Sequence, residues 1–130
     1  MQGYLLQDWV TIRGASSLTQ VKQGADEWLD LGDYEDVAIT LDVRNVTNAA
    51  IFYETSPAKQ DASFLAMVSR STATGIATLA TGQFVDRCYA SLASVPPAQF
   101  LRWRLAQVTA STAWEATFRI WVAAYAWVKP

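Results

Sequence analysis

The segment Trp114-Glu115-Ala116-Thr117-Phe118-Arg119-Ile120-Trp121-Val122-Ala123-Ala124-Tyr125-Ala126-Trp127-Val128 alternates in the manner of an extended strand. One set of alternate residues, Trp114, Ala116, Phe118, Ile120, Val122, Ala124, Ala126 and Val128, is apolar throughout. The other set, Glu115, Thr117, Arg119, Trp121, Ala123, Tyr125 and Trp127, starts polar and turns aromatic halfway. Successive side chains of a strand point to opposite faces, and the outer face of a half-buried strand is normally polar. Trp114 to Val122 therefore reads as a core strand with Glu115 to Arg119 on its wet side. The remainder reads as a strand whose outer face is covered, by the same chain or by a partner. Straight, the segment would span about 50 Å, longer than a usual strand, so a bend, a bulge or a projecting end is expected.

Outward from this segment the chain breaks into further strands. Glu35 to Val46 alternates most cleanly: Val37, Ile39, Leu41 and Val43 oppose Ala38, Thr40, Asp42 and Arg44. Phe100 to Val108 places Leu101, Trp103 and Leu105 against Arg102 and Arg104. Tyr4 to Arg13 alternates loosely, with Tyr4, Leu6, Val10 and Ile12 on one side and Trp9 on the other. Ala50 to Thr55, Phe64 to Arg70 and Phe84 to Leu92 add three more, and Glu27 to Leu31 forms a short element. Asn45 to Asn48 reads as a turn, residues 71–82 as a weak strand or loop, and Pro57 to Gln60 as one helical turn. Turns recur every ~8–12 residues, the spacing of an antiparallel sandwich or barrel. The expectation is an all-β antiparallel sandwich of jelly-roll type with eight or nine strands. It forms one domain over residues 1–130. Its core contains Val37, Ile39, Leu41, Val43, Leu101, Trp103, Leu105, Phe118, Ile120 and Val122.

Composition narrows the function. Hydrophobic residues make up 52% and charged residues 17% of the 130, so burial is plentiful and solvating charge scarce, below the usual ~25%. That balance favours a protein that works in a complex. A net charge of −2 and scattered basic residues argue against nucleic acid as the main ligand. There is no histidine, which removes the commonest general base and metal ligand. The single cysteine, Cys88, reads as a small buried or half-buried thiol. Neither a signal peptide nor an apolar run of membrane-spanning length is visible, so a cytoplasmic origin and no membrane contact are expected.

Half of the twelve acids fall in Asp26, Glu27, Asp30, Asp33, Glu35 and Asp36, without the spacing of a calcium loop. They read as solvated turn acids, with a weak cation site or a glycosidase-type carboxylate pair as lesser alternatives. Arg102 and Arg104 share a face, and cross-strand ion pairs with the Glu115–Arg119 segment are expected if those strands pair. Asn45-Val46-Thr47 matches a glycosylation acceptor but reads as turn sequence. No nucleophile elbow or phosphate-binding glycine loop occurs, so no catalytic, metal or cofactor site is expected. Trp121, Tyr125 and Trp127 lie on one side of the last strand. They are either covered within the fold, or anchors for a protein partner, or a platform for stacking sugars. Trp9 is named with them, because the N-terminal segment is a second candidate contact.

Three stretches, taken together, carry a resemblance. They are Trp28-Leu29-Asp30-Leu31-Gly32-Asp33-Tyr34 before Leu41-Asp42-Val43, then Tyr53-Glu54-Thr55-Ser56-Pro57, then Phe100-Leu101-Arg102-Trp103-Arg104-Leu105 followed by Ala116-Thr117-Phe118-Arg119-Ile120. This order resembles small jelly-roll structural proteins of tailed phages and their prophage relatives. The resemblance implies a non-catalytic capsid decoration or minor capsid protein, located in the virion. It implies the major capsid protein or other virion proteins as partners, and a homo-oligomer. A more distant similarity, through Leu31, Tyr34 and Glu54-Thr55-Ser56-Pro57, is to discoidin-like and galactose-binding-like sandwiches. It implies the alternative of a carbohydrate-binding module, using the same aromatics or the loops around Asp33 and Ser56. The cysteine pair and secretion signal common in that second group are missing here.

Overall fold

A computed structural model of the chain describes residues 2–32, 34, 36–67, 76–88 and 97–125. Among these residues the strands are β1 (Gln2–Gly14), β2 (Gln20–Lys22), β3 (Leu29–Asp30), β4 (Asp36–Thr47), β5 (Ala49–Ser56), β6 (Leu65–Ala66), β7 (Ile76–Thr78), β8 (Gly82–Cys88), β9 (Phe100–Gln107) and β10 (Trp114–Tyr125). Every pairing is antiparallel. The first sheet has the order β1-β10-β4-β8, and the second runs β2-β9-β5-β6, with β3 also on β9 and β7 also on β5. β2 and β3 share one edge of β9 as a broken strand, and β6 and β7 do the same along β5. Counted so, two four-stranded sheets face each other and the connections cross between them. That is the expected all-β sandwich, with a jelly-roll strand order. The ten separate segments exceed the expected eight or nine because these two edge strands are interrupted.

Alternation supplies the core. All ten expected core residues are buried between the sheets, joined by Leu6, Leu31, Ile51, Tyr53, Met67, Trp114 and Ala124. Trp103 of β9 meets Phe118 of β10 edge-to-face, with ring centroids 5.1 Å apart, and so links the layers directly. A buried amide links them as well. Gln23 Nε2 donates to the Leu6 carbonyl of β1 at 2.7 Å, while the Gln23 backbone bonds to Trp103 of β9. These bonds sit at the register shifts of β1, between Leu5 and Val10, where the ladder is broken. The expected irregularity of the last strand is a register shift against β4 at Thr117/Phe118.

Several local expectations are corrected. β4 continues to Thr47, so Asn48 alone makes the corner, in the left-handed region at φ 53°. Asn tolerates this conformation. Its side-chain oxygen accepts from the Thr109 N–H at 2.7 Å, and its nitrogen donates to the carbonyls of Thr109 and Thr112. One residue thereby ties the β4–β5 corner to the β9–β10 corner. The helical turn expected at Pro57 to Gln60 lies instead at Asp61–Ser63, and a second covers Ala25–Glu27. The Phe64–Arg70 strand is represented by Leu65–Ala66, with residues 68–70 outside the described set. β9 and β10 belong to different sheets, so Arg102 and Arg104 make no ladder with Glu115 and Arg119.

Gly14 and Trp114 are directly paired at one end of the first sheet. The indole lies over the glycine, with Nε1 donating to the Leu18 carbonyl at 2.7 Å. A Cβ on Gly14 would stand 2.0 Å from two ring atoms of Trp114, which is itself buried. Gly14→Ala is expected to destabilise the fold by about 3 kcal/mol, the upper part of the usual overpacking cost. A urea titration measures it; an unchanged midpoint would show that the indole simply moves aside.

Candidate docking face

The outer surfaces of the two sheets differ in what covers them. On the second sheet, Arg102 of β9 is opposite Glu54 of β5. Its Nε donates to Glu54 Oε1 at 3.0 Å and its Nη1 to Asp61 Oδ1 at 2.6 Å. Arg104 Nε reaches the other Glu54 oxygen at 3.0 Å, and Lys22 reaches Asp61 at 3.2 Å. The Arg102 guanidinium lies 3.9 Å from the Phe64 ring centroid and 5.3 Å from that of Trp28, and these two rings touch edge-to-face at 4.7 Å. The result is a small second cluster in which the turns bearing Trp28 and Asp61 fold back over the sheet. Only 3% of the Arg102 side chain and 8% of that of Glu54 are exposed. The hydrogen bonds from Arg102, and next those from Lys22, hold the Asp61 carboxyl below its ordinary value near 3.8. Arg102 and Arg104 are thus structural, satisfied by acids that the sequence does not place near them.

The first sheet has no such lid among the described residues. The half of its outer face near Gly14 is polar. Arg13 pairs with Glu115 at 2.6 Å, Asn45 bonds the same carboxylate, and Arg119 pairs with Asp42 at 3.0 Å. The other half is apolar, and the register shows its order. Leu5 is opposite Trp121, Trp121 opposite Thr40, and Thr40 opposite Val85. Directly opposed residues in antiparallel strands share a face, so these four form one row across all four strands. Leu5 is 42% exposed, Trp121 43% and Val85 59%. One step further along the strands, Gly3, Ala123 and Ala38 form a second row, small until it ends at the Arg87 position of β8. Tyr125, 38% exposed, follows beyond it, opposite Asp36.

The four aromatic site candidates fall in three places. Trp121 and Tyr125 lie together on this apolar half. Trp9 is on the polar half, half-buried under Arg44 and Arg119, whose guanidinium carbons sit 4.1 Å and 4.8 Å from its ring centroid. It does not cover Trp121; it belongs to a cation–π stack. Trp127 lies outside the described residues, as do Asp33 and Glu35 of the acidic stretch. Among the described residues no three His, Cys, Asp or Glu side chains converge on a metal position, and Asp30 accepts the Gly32 N–H at 2.8 Å in a local turn. Cys88 sits at the end of edge strand β8, opposite Val37. Leu5 and Val85 were missed in the sequence, because their place in the row follows from register across four strands and not from either strand alone.

Comparison of the chain with protein families, with curated proteins and with solved structures gives no match.

Proposed function

We propose that this chain is a non-catalytic structural protein that works by surface contact, of the kind that decorates a tailed-phage capsid or joins parts of a virion. The observation that carries this reading is the row Leu5–Trp121–Thr40–Val85, whose three apolar members are exposed with no lid among the described residues, while the opposite sheet carries its own. Contiguous exposed apolar surface rimmed by polar residues is characteristic of interaction sites. The clustered charges also support it, because Arg13, Arg102, Arg104 and Arg119 are engaged in ion pairs within the chain. The virion setting rests on the resemblance of the strand-and-turn order to phage jelly-roll proteins.

Trp121→Asp places a charge at the centre of the row, and circular dichroism checks that the variant remains folded. The purified protein is expected to self-associate or to bind phage capsids in a co-sedimentation assay, and Trp121→Asp to lose that binding. Saccharide binding on a glycan array, abolished by Trp121→Ala, would replace this reading with the carbohydrate-binding one.

A further inference from the structure

We propose that β8 pairs edge to edge with β8 of a second copy of this chain, antiparallel about a two-fold axis through Val85, so that the two first sheets become one. This goes beyond the reading above and does not depend on what the outer face binds. Sheet edges offer unpaired backbone N–H and C=O groups, and folds normally blunt them. Three of the four edges here are blunted. β1 carries two register shifts, and Gln23 bonds its Leu6 carbonyl. β2–β3 and β6–β7 are pieces of two or three residues. β8 differs. It pairs with β4 from Val43↔Gly82 to Val37↔Cys88 without a shift, and among the described residues nothing pairs with its other side. It contains no proline or lysine, and the charges of Asp86 and Arg87 cancel. Phe84 and Val85 are both exposed although they lie on opposite faces, Phe84 beside the core residue Leu41 and Val85 beside Thr40. An edge of this kind is recognised by another strand.

The order of residues in β8 selects the strand. A two-fold axis perpendicular to an antiparallel pair sets one residue position against itself. Centred on Val85, every residue from Gly82 to Cys88 finds a partner. Val85 meets Val85 of the second copy, Phe84 meets Asp86, Gln83 meets Arg87 and Gly82 meets Cys88. Centring on Asp86 or Arg87 sets identical charges directly opposite each other, which is destabilising. Centring on Phe84 or Gln83 leaves strand ends unpaired. About Val85 the two Phe84 positions become diagonal neighbours, a spacing within reach of aromatic side chains. The row Leu5–Trp121–Thr40–Val85 then runs on through the axis into the same row of the second copy. Roughly six to eight backbone hydrogen bonds form along the seam. So short a seam is a small interface, and the dimer is weak, with a dissociation constant on the order of 10 µM.

Sedimentation equilibrium at up to about 100 µM measures the dimer against the 14.3 kDa chain. Val85→Lys and Val85→Glu each set like charges on the axis, and each is expected to raise the dissociation constant at least about tenfold. Mixed in equal amounts they are expected to restore it to within about threefold of wild type, as a heterodimer that native mass spectrometry resolves when one variant is isotope-labelled. Hydrogen exchange adds a signature of strand pairing. Alternate amides of β8, those directed away from β4, slow as concentration rises, while the amides between them do not change. Circular dichroism confirms that each variant is folded. Charged variants that dimerise as well as wild type, or a mixture no stronger than its components, overturn the proposal. Self-association lost in Trp121→Asp but kept in Val85→Lys also overturns it and assigns the contact to the outer face. A wild-type monomer that binds capsids through Trp121 overturns the edge dimer and leaves the contact-protein reading intact. A β8 dimer without capsid binding supports the edge pairing and removes the virion reading.

Discussion

Glu54→Gln is expected to remove about 3–5 kcal/mol of folding stability, the usual consequence of breaking one partner out of a buried ion pair. Each Glu54 oxygen receives one arginine Nε at 3.0 Å, and the carboxylate is almost wholly enclosed. The amide oxygen of a Gln side chain can still accept from one Nε, but its NH2 then faces the other, so one guanidinium loses its partner and the charge of both is no longer balanced at this position. Little of the Arg102 guanidinium reaches water, since Trp28 and Phe64 lie against it. A urea titration with unchanged slope and a lowered midpoint identifies the loss as stability and not as a change in compactness. Asp61→Asn is the control. Its carboxylate is 60% exposed, so solvent screens the interaction and replaces much of it. A loss for Asp61→Asn equal to that for Glu54→Gln would mean that burial is not what makes the network costly to break.

Phe118→Ala is expected to cost about 3–5 kcal/mol, the range for deleting a buried aromatic ring. Phe118 is fully enclosed and forms the edge-to-face contact with Trp103 that links the two sheets. Its removal leaves a cavity between layers that cannot both close on it. Three residues along the same strand, Trp121→Ala removes a larger ring and is expected to change monomer stability by no more than about 0.5 kcal/mol, as exposed substitutions do. Thermal unfolding followed by near-ultraviolet circular dichroism separates the two, under conditions where both variants are monomeric. Comparable losses would mean that Trp121 packs within its own chain.

The core was legible because strand periodicity is a local property. Val37 to Val43, Leu101 to Leu105 and Phe118 to Val122 each announce an inward face without reference to any other strand. The turn of the last strand's outer face from polar to aromatic was also visible at Trp121. Pairing was not visible. Arg102 finds Glu54 and Asp61, and not Glu115, because β9 lies beside β5 in one sheet while β10 lies beside β4 in the other. Nothing within either segment encodes that choice. The interrupted edge strands β2–β3 and β6–β7 were underread because two or three residues give no period. Trp9 was grouped with Trp121 by residue type, whereas the bulges of β1 carry it toward Arg44 and Arg119. The candidate row itself is a property of four strands in register, and only its central member stands out in the sequence.

The position of β10 has a consequence for how the molecule is made. It lies between β1 and β4, so the earliest strand of the chain waits for the latest before it has a neighbour. While the ribosome is still adding residues up to about Thr112, both flanking strands present open backbone edges, and the six core residues of β10, Trp114, Ala116, Phe118, Ile120, Val122 and Ala124, are missing. Consolidation of the first sheet therefore waits until β10 has been made. Contacts so distant in sequence place folding in the slow, millisecond-to-second class of β proteins. During that interval the open edges of β1 and β4 are exposed to mispairing with other strands.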